Sequence, residues 1–301
     1  MNDLIPQWPS PGIFAGVSEM AYHGHKGVVS KSLLWDFFPN PHKWRFGPAK
    51  EQTAAMAYGS MIDALWLAES FNEDFVIIPD DAPPRPQERH VNAKKPSAET
   101  LERAEWWAKF DADLKGRTAV TQADYDAGLI AVDALSAHPI ASQIRTESDA
   151  QISVLVEGIE PETGEGFRAK GRMDLVPHEM SDYSNWLFDL KTTRSVTRHD
   201  IQTAIASFGY YAQAALYLDL YNTASGDARS RFGFIFQESE PPYEIAVVEL
   251  GPTDIEAGRA WYQKALALWC RCERDGNWPS PWDDSIQVVS RPGWARKGDE
   301  E

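Results

Sequence analysis

Cysteine is nearly missing from this sequence, whose 301 residues hold only Cys270 and Cys272. Two thiols cannot build a disulfide scaffold, a four-cysteine zinc site or a cysteine-ligated iron–sulfur cluster. No apolar run approaches the roughly 20 residues that a membrane span requires. The opening residues, MNDLIPQWPSPG, have neither the basic start nor the apolar stretch of a signal peptide. Together these absences predict a cytoplasmic protein with no membrane partner. Repeats and low-complexity segments are absent too. Positive charge is scarce: 29 Lys and Arg against 45 Asp and Glu leave a net −16. Phosphate backbones attract basic surfaces, so this balance argues against a broadly basic nucleic-acid face. A narrow basic groove stays open, because bound metal would neutralise some of the acids.

What is present indicates a folded globular chain, with 43% hydrophobic residues and 12 tryptophans. Its length allows one elaborated domain or two. The pattern SKSLLWDFF at 30–38 predicts a short helix with Ser30 as its cap and Pro39 beyond its end. Residues 51–69 read as a strong helix, and FVIIP at 75–79 as a short strand. The stretch at 80–96, rich in proline and charge, reads as a loop or mobile arm, with helices expected at 98–115 and 121–136. Strands are expected at 151–158, 166–176 and 185–192, then one long helix near 198–222. Strands near 231–238 and 243–250 and a helix at about 253–275 complete the pattern. The expected fold is α/β (α+β), a mixed central sheet flanked by helices. Residues 1–150 would form a helical elaboration packed on a core at 151–282, with a tail at 283–301.

Two of those strands carry the chemistry. The run at 166–176 holds Gly171-x-x-Asp174, and the run at 185–192 holds Asp189-Leu190-Lys191. Asp189 and Lys191 are two apart and share one face of a strand. A hairpin would bring Asp174 beside them. Two carboxylates and a lysine at one patch suit a divalent cation with an activated water, the equipment for cutting a phosphodiester. Asp-x-Lys alone is unspecific: it recurs at Asp113–Lys115 on the expected helix 98–115, where it reads as solvated surface. A charged pair alternating with Trp186, Leu187, Phe188 and Leu190 fits the wet face of an edge strand equally well. Tyr210, Gln213 and Tyr217 share a helical face further on, and a buried glutamine there needs a hydrogen-bond partner. An ordinary core stripe is the alternative.

The joint order Gly59-x-x-x-Asp63, Gly171-x-x-Asp174, Asp189-x-Lys191, Gln213-x-x-x-Tyr217 resembles the PD-(D/E)xK nuclease superfamily. More closely it is similar to the phage-recombination exonucleases typified by exodeoxyribonuclease VIII (RecE). The likeness runs from the Ser30-x-Ser32 segment to WPSPW at 278–282. It implies a restriction-endonuclease-like core in which Asp174, Asp189 and the Leu190 carbonyl ligate magnesium, with manganese as a substitute. Lys191 would orient or deprotonate the attacking water, and Gln213 and Tyr217 would position the lysine or the DNA backbone. Two positions depart from the family pattern. Asp63 stands where these exonucleases usually carry histidine and would be a further metal ligand. Gln151 stands where some relatives carry glutamate.

For DNA, the basic cluster of Arg85, Arg89, Lys94 and Lys95 fits the tracking of phosphates and a solvated charged loop equally well, and Arg172 would touch the scissile strand. By resemblance, Ser30, Ser32 and Arg45 would hold a 5′-terminal phosphate. His23 and His25 lack matched carboxylates and read as loop. The implied activity is a processive 5′→3′ exonuclease acting on ends of linear double-stranded DNA. The implied partners are a single-strand annealing recombinase and further copies of the chain in a ring. An endonuclease on the same core and a catalytically silent DNA-binding or docking protein are the alternatives.

Overall fold

The computed structural model describes residues 10–24, 27–50, 52–68, 70–282 and 286–290. His25, both end residues of the expected helix 51–69 and most of the 283–301 tail lie outside the described residues. The chain begins with β1 (Gly12–Phe14), α1 (Glu19–Gly24), α2 (Lys31–Phe37), α3 (Pro41–Phe46) and α4 (Ala54–Trp66). Ser30 caps α2, its hydroxyl accepting the Leu33 amide at 3.3 Å, and Thr53 caps α4 in the same way.

Next, α5 (Phe71–Asp74) runs into β2 (Phe75–Ile77), which pairs in parallel with β3 (Thr118–Val120). Between the two strands the chain makes an excursion through α6 (Glu88–Val91) and α7 (Ala98–Asp113). The basic part of the expected arm, residues 83–95, belongs to this excursion and is docked at Pro83 and Arg85. Trp107 donates its indole N–H to the Pro83 carbonyl at 2.8 Å, and the Arg85 guanidinium lies 4.1 Å over the Trp107 ring. A hydrogen bond to Pro83 and a cation–π contact with Arg85, both made by Trp107, are what composition does not reveal. Helix α7 ends at Asp113, so Lys115 sits beyond it with φ 51°.

The remainder holds α8 (Gln122–Ala137), α9 (Pro139–Thr146), β4 (Ser148–Ile159), β5 (Gly166–Pro177) and β6 (Trp186–Thr193). After these come α10 (Arg198–Ser207), α11 (Tyr210–Ser225), β7 (Arg231–Glu238), β8 (Ile245–Glu249) and α12 (Pro252–Asp275). The main sheet has the order β1-β4-β5-β6-β7-β8. Its neighbours are antiparallel except β6 and β7, which run parallel. This is a mixed sheet flanked by helices, a restriction-endonuclease-like fold. One edge strand, β1, comes from residues 12–14, a contribution that three residues of sequence pattern cannot announce.

Alternation along the strands splits the core into two layers. On one face, Val154, Met173, Leu187, Phe232 and Phe234 pack with Ala214 and Leu218 of α11 and with Tyr262 and Trp269 of α12. On the other, Leu175, Phe188, Leu190 and Ile235 pack with Met61 and Ile62 of α4, Leu135 of α8 and Ile144 of α9. Each fully buried phenylalanine contributes roughly 1.5–3 kcal/mol of transfer free energy.

The single helix expected at 198–222 is two. It breaks at Phe208 and Gly209, where Gly209 adopts φ +64°. A Cβ at Gly209 would stand 2.3 Å from the Trp35 ring. Close packing of α2 on this joint therefore requires glycine, and the left-handed residue redirects the chain into α11.

Candidate active site

Strands β5 and β6 share one ladder pair, Leu175 with Phe188. Beyond it they separate. The Leu190 amide donates instead to the Asp174 carboxylate, Oδ2, at 2.9 Å. The Asp174 side chain thus replaces a strand backbone at the point where the sheet opens.

Asp174 is 9% exposed and Asp189 2%, so neither is the wet face of an edge strand. Lys191 lies on the same face as Asp189, and its ammonium forms an ion pair with Asp189 Oδ2. That oxygen accepts no regularly oriented hydrogen bond. The other oxygen, Oδ1, accepts Nε2 of Gln213 from α11 at 2.5 Å. Asp174 Oδ1 accepts Nε2 of Gln151 from β4 at 3.1 Å. Gln151 sits opposite Asp174 with φ +54°, at a ladder step flanked by the pairs Ala150–Leu175 and Ile152–Met173.

Burial, then Asp189, then Asp63 push the Asp174 carboxyl well above the usual range. Burial opposes the charge of Lys191, but Asp189, Tyr210 and Asp174 outweigh it and raise its pKa. Asp63 reaches the site from α4. That helix crosses β6 so closely that a Cβ at Gly59 would lie 3.2 Å from Thr192 Oγ1. Asp63, Gln151 and Arg172 line a cleft of about 860 Å³ together with Lys50, Ser60 and His23.

Tyr210 and Tyr217 flank Gln213 on α11. The Lys191 ammonium lies 5.1 Å from the centre of the Tyr210 ring. The Tyr217 ring packs on Gly171, where a Cβ would come within 3.1 Å of it. Burial first, then Tyr22 and the two aspartates, raise the Tyr217 hydroxyl pKa well above its usual value. Asp174, Asp189, Lys191, Gln213, Tyr217 and the Leu190 backbone are therefore gathered at one place.

Several of the residues expected to contact DNA also have partners within the protein. Arg172 donates to the Val17 carbonyl at 2.9 Å and to Ser153 Oγ at 3.2 Å, with its guanidinium 4.3 Å over Tyr22. Ser30 caps α2 and its hydroxyl lies 3.2 Å from that of Ser32. Arg45 lies 5.2 Å over Trp278. Arg85 forms a two-pronged pair with Asp111, at 2.7 and 3.1 Å. Arg89, Lys94 and Lys95 are exposed on the α6–α7 excursion. Sequence reasoning missed Lys31, whose ammonium lies 5.8 Å from the centre of the Tyr210 ring. Its one signal was its place between Ser30 and Ser32.

Among the described residues, no three His, Cys, Asp or Glu side chains are gathered closely enough to hold a metal ion by themselves. The donor chemistry still fits a hard divalent cation. Two buried carboxylates, with Asp63 nearby and one lysine to balance them, leave negative charge uncompensated in a desolvated place. Magnesium uses few protein oxygens and keeps several waters, so two carboxylates and a backbone carbonyl are a sufficient set.

No curated protein matches the chain in sequence. In fold it is similar to the crystal structure of a presumed exonuclease from Eubacterium rectale. The TM-score is 0.58 at 14% identity, covering 95% of this chain and 98% of that one. A second solved structure, SSO0001, aligns with a TM-score of 0.30 and 16% identity over 69% of this chain and 85% of that one. Residues 41–285 match the family described as a PDDEXK-like domain of unknown function (DUF3799). That span takes in every strand of the main sheet except β1, and with it Asp174, Asp189 and Lys191, so the chain belongs to this PDDEXK-like family.

Proposed function

We propose that the protein is a metal-dependent deoxyribonuclease that hydrolyses DNA phosphodiesters. The observation that carries this reading is the convergence of Asp174, Asp189 and Lys191 where β5 and β6 part, within a PDDEXK-like fold. Asp174, Asp189 and the Leu190 carbonyl would hold the cation, with Asp63 supplying a further oxygen. Magnesium is the natural ion and manganese its substitute. When bound, such an ion lowers the pKa of a coordinated water and withdraws charge from the phosphate under attack.

The protein's own groups do the rest. The Lys191 ammonium faces the place where negative charge develops and donates to it. Gln213 fixes the Asp189 carboxylate, and Tyr210 holds Lys191 from the side. Gln151 fixes Asp174 across the ladder. Tyr217 packs its ring against Gly171 on the apolar side.

In its finer form the reading is a processive 5′→3′ exonuclease on linear duplex DNA, leaving a 3′ single strand for an annealing recombinase. The resemblance of the motif order to the phage-recombination exonucleases motivates this form, and the name carried by the Eubacterium rectale neighbour speaks for its exonuclease part alone. A ring of several copies would explain processivity by enclosing the duplex. Linear duplex labelled at either the 5′ or the 3′ end, compared with a closed circle in magnesium, tests it. The proposal expects early release of the 5′ label and an intact circle. Nicking of the circle makes the enzyme an endonuclease, and binding without cleavage under several divalent ions makes the chain a silent DNA-binding protein.

A further inference from the structure

Phe208 is 57% exposed, although its backbone amide and carbonyl are both hydrogen-bonded. Its amide closes α10 on the Ala204 carbonyl at 2.9 Å. Its own carbonyl accepts the Lys31 ammonium. Gly209 follows in the left-handed region with Trp35 packed on it. A side chain that folding left on the surface is thus presented from a rigid mount.

The ring is also placed. It lies 5.7 Å from the Tyr210 ring, at a 33° tilt. Two ammonium groups also neighbour Tyr210, Lys191 at 5.1 Å and Lys31 at 5.8 Å from the ring centre. Single exposed apolar residues such as Ile159 or Met180 need no explanation. Phe208 differs, because one aromatic ring separates it from Lys191.

Lys31 is a cation that the protein leaves unbalanced. Among the described residues no carboxylate pairs with it. The two acids that influence it are engaged elsewhere, Asp189 with Lys191 and Asp36 with Lys50 at 3.0 Å. Burial and the charge of Lys191 pull its pKa down to about 8, so its ammonium gains from an added anion. A base carries a flat π-face and its phosphate carries the anion, which is the pair of features these two side chains complement.

We propose that Phe208 and Lys31 form a nucleotide subsite beside Lys191, the ring stacking on a DNA base and the ammonium meeting the adjacent phosphate. The inference rests on the nuclease reading and names how that site holds its substrate. Stacking on an aromatic ring tolerates every base, which suits an enzyme that must digest any sequence.

The test is the affinity of the full chain, in chelator, for a short duplex carrying 2-aminopurine at its 5′ end. Wild type, Phe208→Ala, Phe208→Trp and Lys31→Ala are compared, with matching unfolding midpoints required of each. The subsite expects Phe208→Ala to bind roughly tenfold more weakly and to lose the 2-aminopurine quench, and Phe208→Trp to restore both. It expects Lys31→Ala to weaken binding and flatten the salt dependence by about one phosphate contact. Wild-type affinity and quench in both alanine variants overturn the subsite and leave the nuclease reading intact. Failure of Phe208→Trp to restore binding assigns the ring a structural role and also overturns it. A wild type that binds no DNA either in chelator or with a divalent ion added overturns both readings.

Discussion

Gln151 and Asp174 face each other across β4 and β5, the amide nitrogen 3.1 Å from the carboxylate, with Gln151 held at φ +54°. A non-glycine residue in the left-handed region costs on the order of 1–2 kcal/mol. The conformation aims an amide at a buried carboxylate that already feels Asp189 and Asp63. Glutamine satisfies Asp174 without adding a charge.

Gln151→Glu is expected to add a third carboxylate beside Asp174. Without divalent ions the variant should melt lower, by about 1–2 kcal/mol of like-charge repulsion. Magnesium should raise its melting temperature more than that of wild type, because an ion that binds only the folded state stabilises by mass action. Equal magnesium-induced shifts in the two proteins would contradict this arrangement.

Gly209→Ala should destabilise by about 2–4 kcal/mol. The substitution forces a side chain into φ +64° and drives its Cβ to 2.3 Å from the Trp35 ring. Urea unfolding measures the cost. A loss below about 0.5 kcal/mol would mean that α2 does not pack on the α10–α11 joint.

These two positions show where sequence reading stops. Alternation on strands and i, i+3 spacing on a helix placed Asp174, Asp189, Lys191 and Gln213 on shared faces without deciding their role. That role came from the resemblance in motif order, and the strand at 231–238 matches the expected bounds. Those signals are local and periodic. The break at Gly209 depends on Trp35, the contact of Gln151 depends on Asp174, and the docking of Arg85 depends on Trp107. Each is a long-range contact that gives a single residue its meaning. Strand β1 was illegible for the same reason, since three residues gain strand character only by pairing with Ser153, Val154 and Leu155.

Asp219 of α11 accepts two hydrogen bonds from Arg259 of α12 at 2.8 Å each and one from the Tyr262 hydroxyl at 2.5 Å. Asp219→Ala removes all three and leaves the half-buried guanidinium with Glu256 as its remaining acidic partner. A loss of about 2–3 kcal/mol in unfolding free energy is expected. An unchanged urea midpoint would show that the α11–α12 contact is carried by apolar packing alone.

Lys170 is buried on β5, donates to the Tyr22 carbonyl and faces the Tyr22 ring and Arg172. Burial first, then Arg172, lower its pKa from 10.5 to about 8. Between these values the unfolded chain binds more protons than the folded one, so stability rises with pH across that window. The slope contributed is at most about 1.4 kcal/mol per pH unit. Lys170→Met should abolish this rise and stabilise the protein at pH 7. Stability-versus-pH curves that coincide for wild type and variant would refute the assignment.

The most direct test of the account compares magnesium-dependent hydrolysis of a linear duplex by wild type, by wild type with chelator, and by Lys191→Ala. Loss of cleavage in the last two, with DNA binding kept by Lys191→Ala, is the expected result. Full cleavage by Lys191→Ala, or cleavage that survives chelation, would contradict a cation-dependent centre built on Asp174, Asp189 and Lys191.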